Sequence, residues 1–513
     1  MRIRVVGAGA MGRGIAQWAA VAGHTVELAD VRQKAVGEAI GFVRHMLERA
    51  VQKQRMTDEA AGAASARLLP VDSPAAPGDD VELVIEAVRE DLATKTELFR
   101  QLAEVLPAGA IFATNTSSLP VTQIASGLLD PSRLCGLHFF NPVPLMKIVE
   151  VIPGELTRPE ITQTLVDLVR GTGHTAVVVS DTPGFLINHV GRGLITEAFA
   201  LLEESVCDTT GIDRIARDVL GLRMGPFELM DLTGLDVTAA VTDSIWQGFR
   251  HSDRLRPSYL APNRVAAGLH GRKTGRGFYA YGPGLPAPAD LPEEPVTGDA
   301  GRPVWVAGEG RDSDTLRMVL SESGATLERG TAPSARAVVL SAVWGTTVAA
   351  AIAEDALPAE RTLGVDPLSL TARRRVLAMT PASDQAAVRD ARAVLARAAG
   401  GTEAVPVSVV RDTAGSVAQR VLASIVSVAA SVAERSIAAP ADIDIAVTAG
   451  LGYPVGPLAW GDRIGARRLL ALQDGLHRST GDPRYRPTRW VTERAYLGLP
   501  LTEPGAVPPT VGA

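Results

Sequence analysis

Arg2-Ile3-Arg4-Val5-Val6-Gly7-Ala8-Gly9-Ala10-Met11-Gly12-Arg13-Gly14 decides the fold of this chain. Ile3, Val5 and Val6 form an apolar β-branched run that leads straight into Gly7, Gly9 and Gly12, and Ile15, Ala16, Trp18 and Ala19 then recur at helical spacing. A lone glycine pattern is weak evidence, but strand, G-x-G-x-x-G and helix in that order are the context a dinucleotide fingerprint requires. Gly7 serves the tight turn, Gly9 the approach of a pyrophosphate, Gly12 the packing of helix on strand. The helix N-terminus then offers unpaired N–H groups to phosphate. A second strand, His24 to Ala29, ends in Asp30. That acid lies about twenty residues past the glycines, where a ribose 2′-hydroxyl takes a carboxylate bond and a 2′-phosphate is repelled. The reading predicts NAD rather than NADP, with Gly7, Gly9, Ala10, Met11, Gly12 and Asp30 as its contacts. The plainer alternative for Asp30 is a strand-end turn residue.

The 513 residues are too many for one core, and 46% apolar content is ample for several. A net charge of −6 argues against a nucleic-acid partner. The two cysteines, Cys135 and Cys207, stand in unrelated contexts and outline neither a disulfide framework nor a metal site. The apolar runs are short and interrupted, so no membrane span is expected, and Met1 and Arg2 leave no room for a signal peptide. A soluble cytoplasmic protein is expected.

Past Asp30 a helical pattern runs from Gln33 to Arg55. One stripe is apolar and the other carries Arg44, Arg49, Lys53 and Arg55. This basic face reads either as a solvated surface or as a contact for an anionic substrate handle. Strands follow at Asp80–Ala87 and Ala110–Ser118. Ligands in open α/β sheets bind at the carboxyl ends of strands, so Glu90, Lys95, Asn115 and Ser117 are candidates for cofactor or substrate contact; each alone also reads as a cap or turn residue. His138 then interrupts an apolar strand at Leu134–Pro142, and Glu150 interrupts another at Lys147–Ile152. Either group alone is costly to bury. If the strands meet, Glu150 fixes the His138 tautomer and stabilises its protonated form, which suits a general base; a structural pair is the alternative. Another strand, Thr175–Ser180, breaks at Asp181-Thr182-Pro183-Gly184-Phe185. Helices follow, with Asn188 in the first and Gly225-Pro226 opening another, and a Pro-rich linker runs from Pro283 to Pro303.

The second half echoes the first. Asp412-Thr413 and Gly415 match Asp181-Thr182 and Gly184; with no gap, Ile443-Asp444, Gly452, Gly456-Pro457 and Asp462 match Ile212-Asp213, Gly221, Gly225-Pro226 and Asp231. Pro303–Gly310 looks like a worn first strand and glycine turn, with Ser313 where Gly12 aligns. The acid-ended second strand is hard to find. Asp366 aligns with His138, Gln419 with Asn188, and Val376–Met379 carries no acid for Glu150. Residues that shape a fold persist, whereas those that could do chemistry do not.

VVGAGAMGRGIA, NTSSLPVTQIA, GLHFFNPVPLMKIVEVI, DTPGFLINH, GPFELMDLTGLD and KTGRGFYAY, in this order across residues 1–281, resemble the L-3-hydroxyacyl-CoA dehydrogenase family. The resemblance implies an α/β Rossmann domain followed by an all-α domain, then a degenerate second copy of both. The expected boundaries are 1–180, 181–282, a linker at 283–303, 304–410, 411–485 and a tail at 486–513. It implies NAD as cofactor and an acyl-CoA substrate. His138 matches the general base and Glu150 its carboxylate partner. Ser117 and Asn188 match residues that hold substrate and His in register. Glu90, Lys95, Asn141 and Lys273, with Ser117, match further NAD-binding positions. Lys53 matches a coenzyme A contact, and Met46 stands where the family usually has a hydroxyl. The long form resembles dehydrogenases of 3-hydroxyadipyl-CoA in phenylacetate breakdown, and also those of 3-hydroxybutyryl-CoA in fatty-acid and butanoate metabolism. Helical domains of the family pair between chains, so an internal pseudo-dimer is expected here, with further homo-oligomerisation open. A dehydrogenase of free 3-hydroxy acids is the runner-up, and a non-catalytic scaffold is the expectation for the second half.

Overall fold

The computed structural model describes residues 1–401 and 404–506. It divides into two compact units: Met1–His189 with Arg435–Leu451, and Val190–Glu434 with Gly452 onward. The boundary falls inside the helix Ile187–Glu203.

The first unit is built on an eight-stranded sheet. Its strands are β1 (Arg2–Val6), β2 (Thr25–Ala29), β3 (Leu68–Pro70), β4 (Leu83–Glu86), β5 (Ile111–Thr114), β6 (Leu134–Phe139), β7 (Ile148–Pro153) and β8 (Thr175–Val178), in the order β3-β2-β1-β4-β5-β6-β7-β8. All neighbours are parallel except β6 and β7. That pair is joined by the short stretch Phe140–Lys147, and a parallel crossover needs a dozen residues or more. Strand centres are apolar and buried, as in sheets covered on both faces. Arg4 is buried within β1 and donates from Nε to Glu27 Oε2 at 2.8 Å. The predicted Gln33–Arg55 helix ends earlier, at Gln52, because Gln54 turns into the left-handed region at φ 55°. Thr57 then caps a further helix, Asp58–Ala66, by accepting from the Ala60 N–H. Just past β8, the Ser180 N–H donates to the Ile437 carbonyl at 2.8 Å.

The second unit holds a five-stranded sheet. It comprises β9 (Val304–Ala307), β10 (Val338–Ala342), β11 (Thr362–Val365), β12 (Arg375–Met379) and β13 (Val407–Arg411), ordered β13-β12-β11-β10-β9. Again one neighbouring pair, β11 and β12, is antiparallel. The β10 strand leads to a helix at Val348–Glu354 whose first N–H groups are accepted by Asp412, just as Asp181 accepts from Val121 and Thr122 after β5. After β9 and the helix Arg311–Glu322, only one parallel bridge, Val304 to Leu327, stands where β2 pairs with β1. The chain reaches β10 some ten residues later, so there is no room for counterparts of β3 and β4. Sequence alone does not find the acid-ended second strand because the structure reduces it to this bridge.

Helices make up the rest of this unit. Ser416–Glu434, among the described residues the one helix long and apolar enough to cross a membrane by length and composition, is 94% buried inside the protein. Its Arg420 is fully buried, and its Nε donates to Glu197 Oε1 at 2.6 Å. The same arginine donates to the Tyr485 hydroxyl at 2.6 Å and to Glu204, and Tyr485 donates to Glu197 at 2.8 Å. Breaking such a network from one side leaves an uncompensated buried charge. The linker is tied down as well: Arg214 donates to the Leu291 and Pro292 carbonyls, and Glu293 pairs with Arg214 and Arg374. Beyond Tyr485, where sequence alone suggests a tail, the chain forms one more helix, Arg489–Leu497. Its buried face consists of Val491, Arg494 and Ala495, while the apolar Tyr496 and Leu497 are exposed.

Contacts inside this unit come in matched pairs. Ser424 Oγ donates to the Gly193 carbonyl at 2.8 Å, and these two residues hold the same place in the repeat. A Cβ on Gly221 would meet Pro454 at 3.7 Å, and one on Gly452 would meet Arg223 at 3.7 Å, again repeat partners exchanged. Arg411 N–H donates to the Val206 carbonyl at 2.9 Å. At Gly193 a Cβ would sit 2.9 Å from Ile425 Cα and 3.0 Å from the Ser424 carbonyl oxygen, so the backbones touch there. Replacing Gly193 with Val should therefore force the Ile187–Glu203 and Ser416–Glu434 helices apart and cost about 1–3 kcal/mol or more. Denaturant unfolding checks this, and an unchanged midpoint would show that the helices do not need this close approach.

Candidate active site

The glycine loop leaves β1 at Gly7, which has φ 108°; a Cβ there would lie 2.4 Å from the Ala87 carbonyl oxygen. A Cβ on Gly12 would fall 1.7 Å from the Gly7 carbonyl oxygen, so no other residue allows this contact. A Cβ on Gly9 would meet nothing within 4 Å, and Gly9 caps the helix Ala10–Val21 with no side chain over its N-terminus. The unpaired N–H groups thus remain available for a phosphate group. Asp30 accepts from the Ala8 N–H at 2.8 Å and from the Arg32 N–H at 2.9 Å, and each carboxylate oxygen keeps a further lone pair. Gly7, Gly9 and Asp30 border a cleft of about 840 Å³. The residues present fit a dinucleotide: open loop, uncapped helix and pre-oriented acid.

Lys95 is buried, its ammonium 2.6 Å from Glu86 and 3.3 Å from Glu90. Glu90 accepts from the Thr116 and Ser118 hydroxyls and from the Ser117 and Ser118 N–H groups. Burial works to raise the Glu90 pKa, but the Thr116 bond, the Lys95 charge and the bonds from Ser117 and Ser118 carry it below the ordinary carboxylate value. The network holds the loop that presents Ser117 at the surface. Glu86 anchors it from the end of β4, where it is fully buried and also accepts from Thr114 at 2.7 Å. Sequence reasoning passes over Glu86; the available signal is an acid closing an apolar strand. Asn115 serves the framework, its Oδ1 accepting the Phe139 N–H at 2.8 Å. Asn141 is exposed just past β6, ahead of a cis bond to Pro142.

His138 and Glu150 are directly opposed in the β6–β7 register. Their side chains meet: His138 Nδ1 lies 2.6 Å from Glu150 Oε2, with the imidazole 6% exposed and the carboxylate fully buried. Glu150 Oε1 accepts two more bonds, from the Leu186 N–H at 3.1 Å and the Ile187 N–H at 2.8 Å. These N–H groups open the Ile187–Glu203 helix, so the carboxylate caps the helix that carries Asn188 in its first turn. Asn188 is half-buried.

A separate cleft of about 650 Å³ in the first unit is lined by Arg49, Lys53, Arg55 and Lys147, with Met46 and Trp18 among the apolar walls. Lys53 and Arg55 stand beyond the helix end, not on a continuous helical face. Lys273 belongs to the second unit, where it pairs with Asp236 at 2.5 Å. In that unit Asp366, at the position aligned with His138, is buried and accepts from the Gln419 amide at 3.1 Å, while its Oδ2 has no partner; burial pushes its carboxyl up to about 6. Trp344 stacks under Arg468 with 3.9 Å from guanidinium to ring centre. This second arrangement has no imidazole.

A dinucleotide cleft and a buried histidine–carboxylate pair on one sheet define a nicotinamide-dependent dehydrogenase. Residues 2–182 match the 3-hydroxyacyl-CoA dehydrogenase NAD-binding domain, and residues 184–281 and 415–502 match the 3-hydroxyacyl-CoA dehydrogenase C-terminal domain. The chain is 35% identical over 502 residues to 3-hydroxyadipyl-CoA dehydrogenase of Escherichia coli, covering 96% of this chain and 97% of that protein. It is 39% identical over 280 residues to a probable 3-hydroxybutyryl-CoA dehydrogenase of Bacillus subtilis, which covers 55% of this chain and 97% of that protein. The crystal structure of an Escherichia coli 3-hydroxybutyryl-CoA dehydrogenase superposes with a TM-score of 0.82 at 34% identity, covering 97% of this chain and 98% of that one. The chain belongs to the 3-hydroxyacyl-CoA dehydrogenase family, whose members are NAD-dependent oxidoreductases.

Proposed function

We propose that this chain oxidises (3S)-3-hydroxyacyl-CoA thioesters to 3-oxoacyl-CoA with NAD⁺. The observation that carries the reading is the His138–Glu150 pair in a domain with an intact dinucleotide loop. A carboxylate at Nδ1 favours the tautomer with its proton there, which leaves the Nε2 lone pair to accept a proton. His138 takes the proton of the C3 hydroxyl at Nε2. NAD⁺, when bound, supplies the acceptor for the C3 hydride. Glu150 balances the imidazolium charge in a buried setting, where the interaction is strong. Ser117 and Asn188 orient the hydroxyl and thioester oxygens; Glu90 and Lys95 hold the Ser117 loop. Gly7, Gly9, Ala10, Met11, Gly12 and Asp30 bind the dinucleotide, with Asn141 and Lys273 as further contacts. Arg49, Lys53, Arg55 and Lys147 supply positive charge for the phosphates of coenzyme A, which favours the thioester over a free 3-hydroxy acid.

Within this class, 3-hydroxyadipyl-CoA in phenylacetate degradation is the preferred substrate, on the strength of the full-length relative of that name. A 3-hydroxybutyryl-CoA substrate in fatty-acid or butanoate metabolism is the second reading, favoured by the name of the full-length solved structure. The location proposed is cytoplasmic. For the second half we propose a duplicated, decayed copy whose helical domain pairs with the first as an internal pseudo-dimer. The exchanged Gly221–Pro454 and Gly452–Arg223 contacts and the Gly193–Ser424 approach support a pseudo-twofold arrangement. Loss of the β3 and β4 counterparts and Asp366 in place of His138 support a scaffold role.

Replacing His138 with Gln should lower kcat about 10²-fold or more, since general-base catalysis is worth 10²–10⁴. The affinity for NAD⁺ should barely change, and a near-normal kcat would remove His138 from the mechanism. Replacing Lys53 with Ala should raise KM for acyl-CoA but leave N-acetylcysteamine thioesters, which lack the nucleotide, almost unaffected. Equal effects on both substrates would return the basic face to a solvated surface.

A further inference from the structure

Two aromatic rings pack on the His138 imidazole: Phe140 at 4.4 Å between centroids and Phe185 at 5.8 Å, each inclined by 57°. Phe185 is 2% exposed and sits at φ 50°, directly after Gly184 at φ 74°. A bulky residue in the left-handed region is sterically disfavoured and needs a reason. The turn is fixed at both ends. Asp181 accepts from Val121 and Thr122, and Glu150 accepts from Leu186 and Ile187 just beyond the ring.

The chain contains its own control. The matching turn in the second half has Gly415 at φ 71° and Ser416 at φ 49°, with Asp412 accepting from Val348 and Ala349. The same backbone therefore forms around a serine, and the fold does not require an aromatic ring there. In that half the His138 position is Asp366, and no acid replaces Glu150. The aromatic ring accompanies the imidazole–carboxylate pair and is missing where that pair is missing.

We propose that Phe185 is a positioning residue for His138, placed by its left-handed turn so that its ring fixes the imidazole plane and shields the bond to Glu150. Its role in turnover rests on the dehydrogenase reading above. The helix-opening N–H groups align the carboxylate and the ring beside them aligns the base, so one turn sets both halves of the pair.

The test uses the full-length chain with Phe185→Ser, which copies the second turn, Phe185→Gly, which removes the steric conflict, and Phe185→Tyr, which keeps the ring. The Ser and Gly variants should lose about 10- to 100-fold in kcat, with KM for both substrates within about twofold. Emptying a fully buried ring should lower the thermal midpoints of both, so rates are compared at a temperature where each variant is fully folded by circular dichroism, and Phe185→Tyr should recover most of the rate. In ¹⁵N-histidine-labelled protein without substrate, the His138 Nδ1 proton should exchange with water at least about tenfold faster in the Ser and Gly variants. A kcat within about twofold of wild type in the folded Ser and Gly variants, or an unchanged exchange rate, would overturn the proposal. If the wild type does not oxidise 3-hydroxyacyl-CoA, the functional reading fails, while the exchange measurement still decides whether Phe185 holds the imidazole.

Discussion

One carboxylate, Glu150, ties the active-site region together. It is fully buried and bonded on one side to the His138 ring, on the other to the first N–H groups of the Ile187–Glu203 helix. A buried anion is tolerable only when its oxygens are satisfied, and here a protonatable ring and a helix N-terminus both satisfy them. The same contacts join the end of the parallel sheet to the helix that carries Asn188. The cross-strand register that places Glu150 opposite His138 follows from the short Phe140–Lys147 connection, which makes β7 antiparallel.

Much of this is legible from residues alone because the determinants are local. The strand, glycine loop and acid-ended second strand announce a dinucleotide fold through patterns a few residues long. His138 and Glu150 stand out because each breaks an apolar strand. What escapes is what depends on three-dimensional context. Glu86 looks like an ordinary strand-end acid until Lys95 and Thr114 are seen to converge on it. The helix end at Gln52 lacks a glycine signal because Gln54 itself takes the left-handed turn. Lys147 joins the basic cleft only through the fold of the loop before β7. The helix at Arg489–Leu497 is short, and Tyr496 and Leu497 are exposed, so its apolar residues do not map onto one buried stripe.

The second half shows which parts of the design serve architecture and which serve chemistry. Both Asp181 and Asp412 cap a helix that follows a central strand, and both Phe185 and Ser416 turn at positive φ. These features shape the backbone and persist. The chain between the Val304–Leu327 bridge and β10 is too short to hold counterparts of β3 and β4. What remains buries its side chains against the first helical domain within one unit, through Arg420, Glu197 and the close helix approach at Gly193. The buried Arg420–Glu197 pair sits at the centre of that packing, where removing either partner would strand a buried charge.

Replacing Glu150 with Gln separates its two roles from its shape. Gln keeps the shape and its carbonyl oxygen can still accept both helix N–H groups, but its amide then turns a donor toward His138 Nδ1, and it lacks the charge that fixes the tautomer and offsets the imidazolium. Glu150→Gln should lower kcat for NAD⁺-dependent oxidation of a (3S)-3-hydroxyacyl-CoA by about 10²-fold or more while NAD⁺ affinity holds. A variant that turns over within a few-fold of the wild type would contradict the role of that charge.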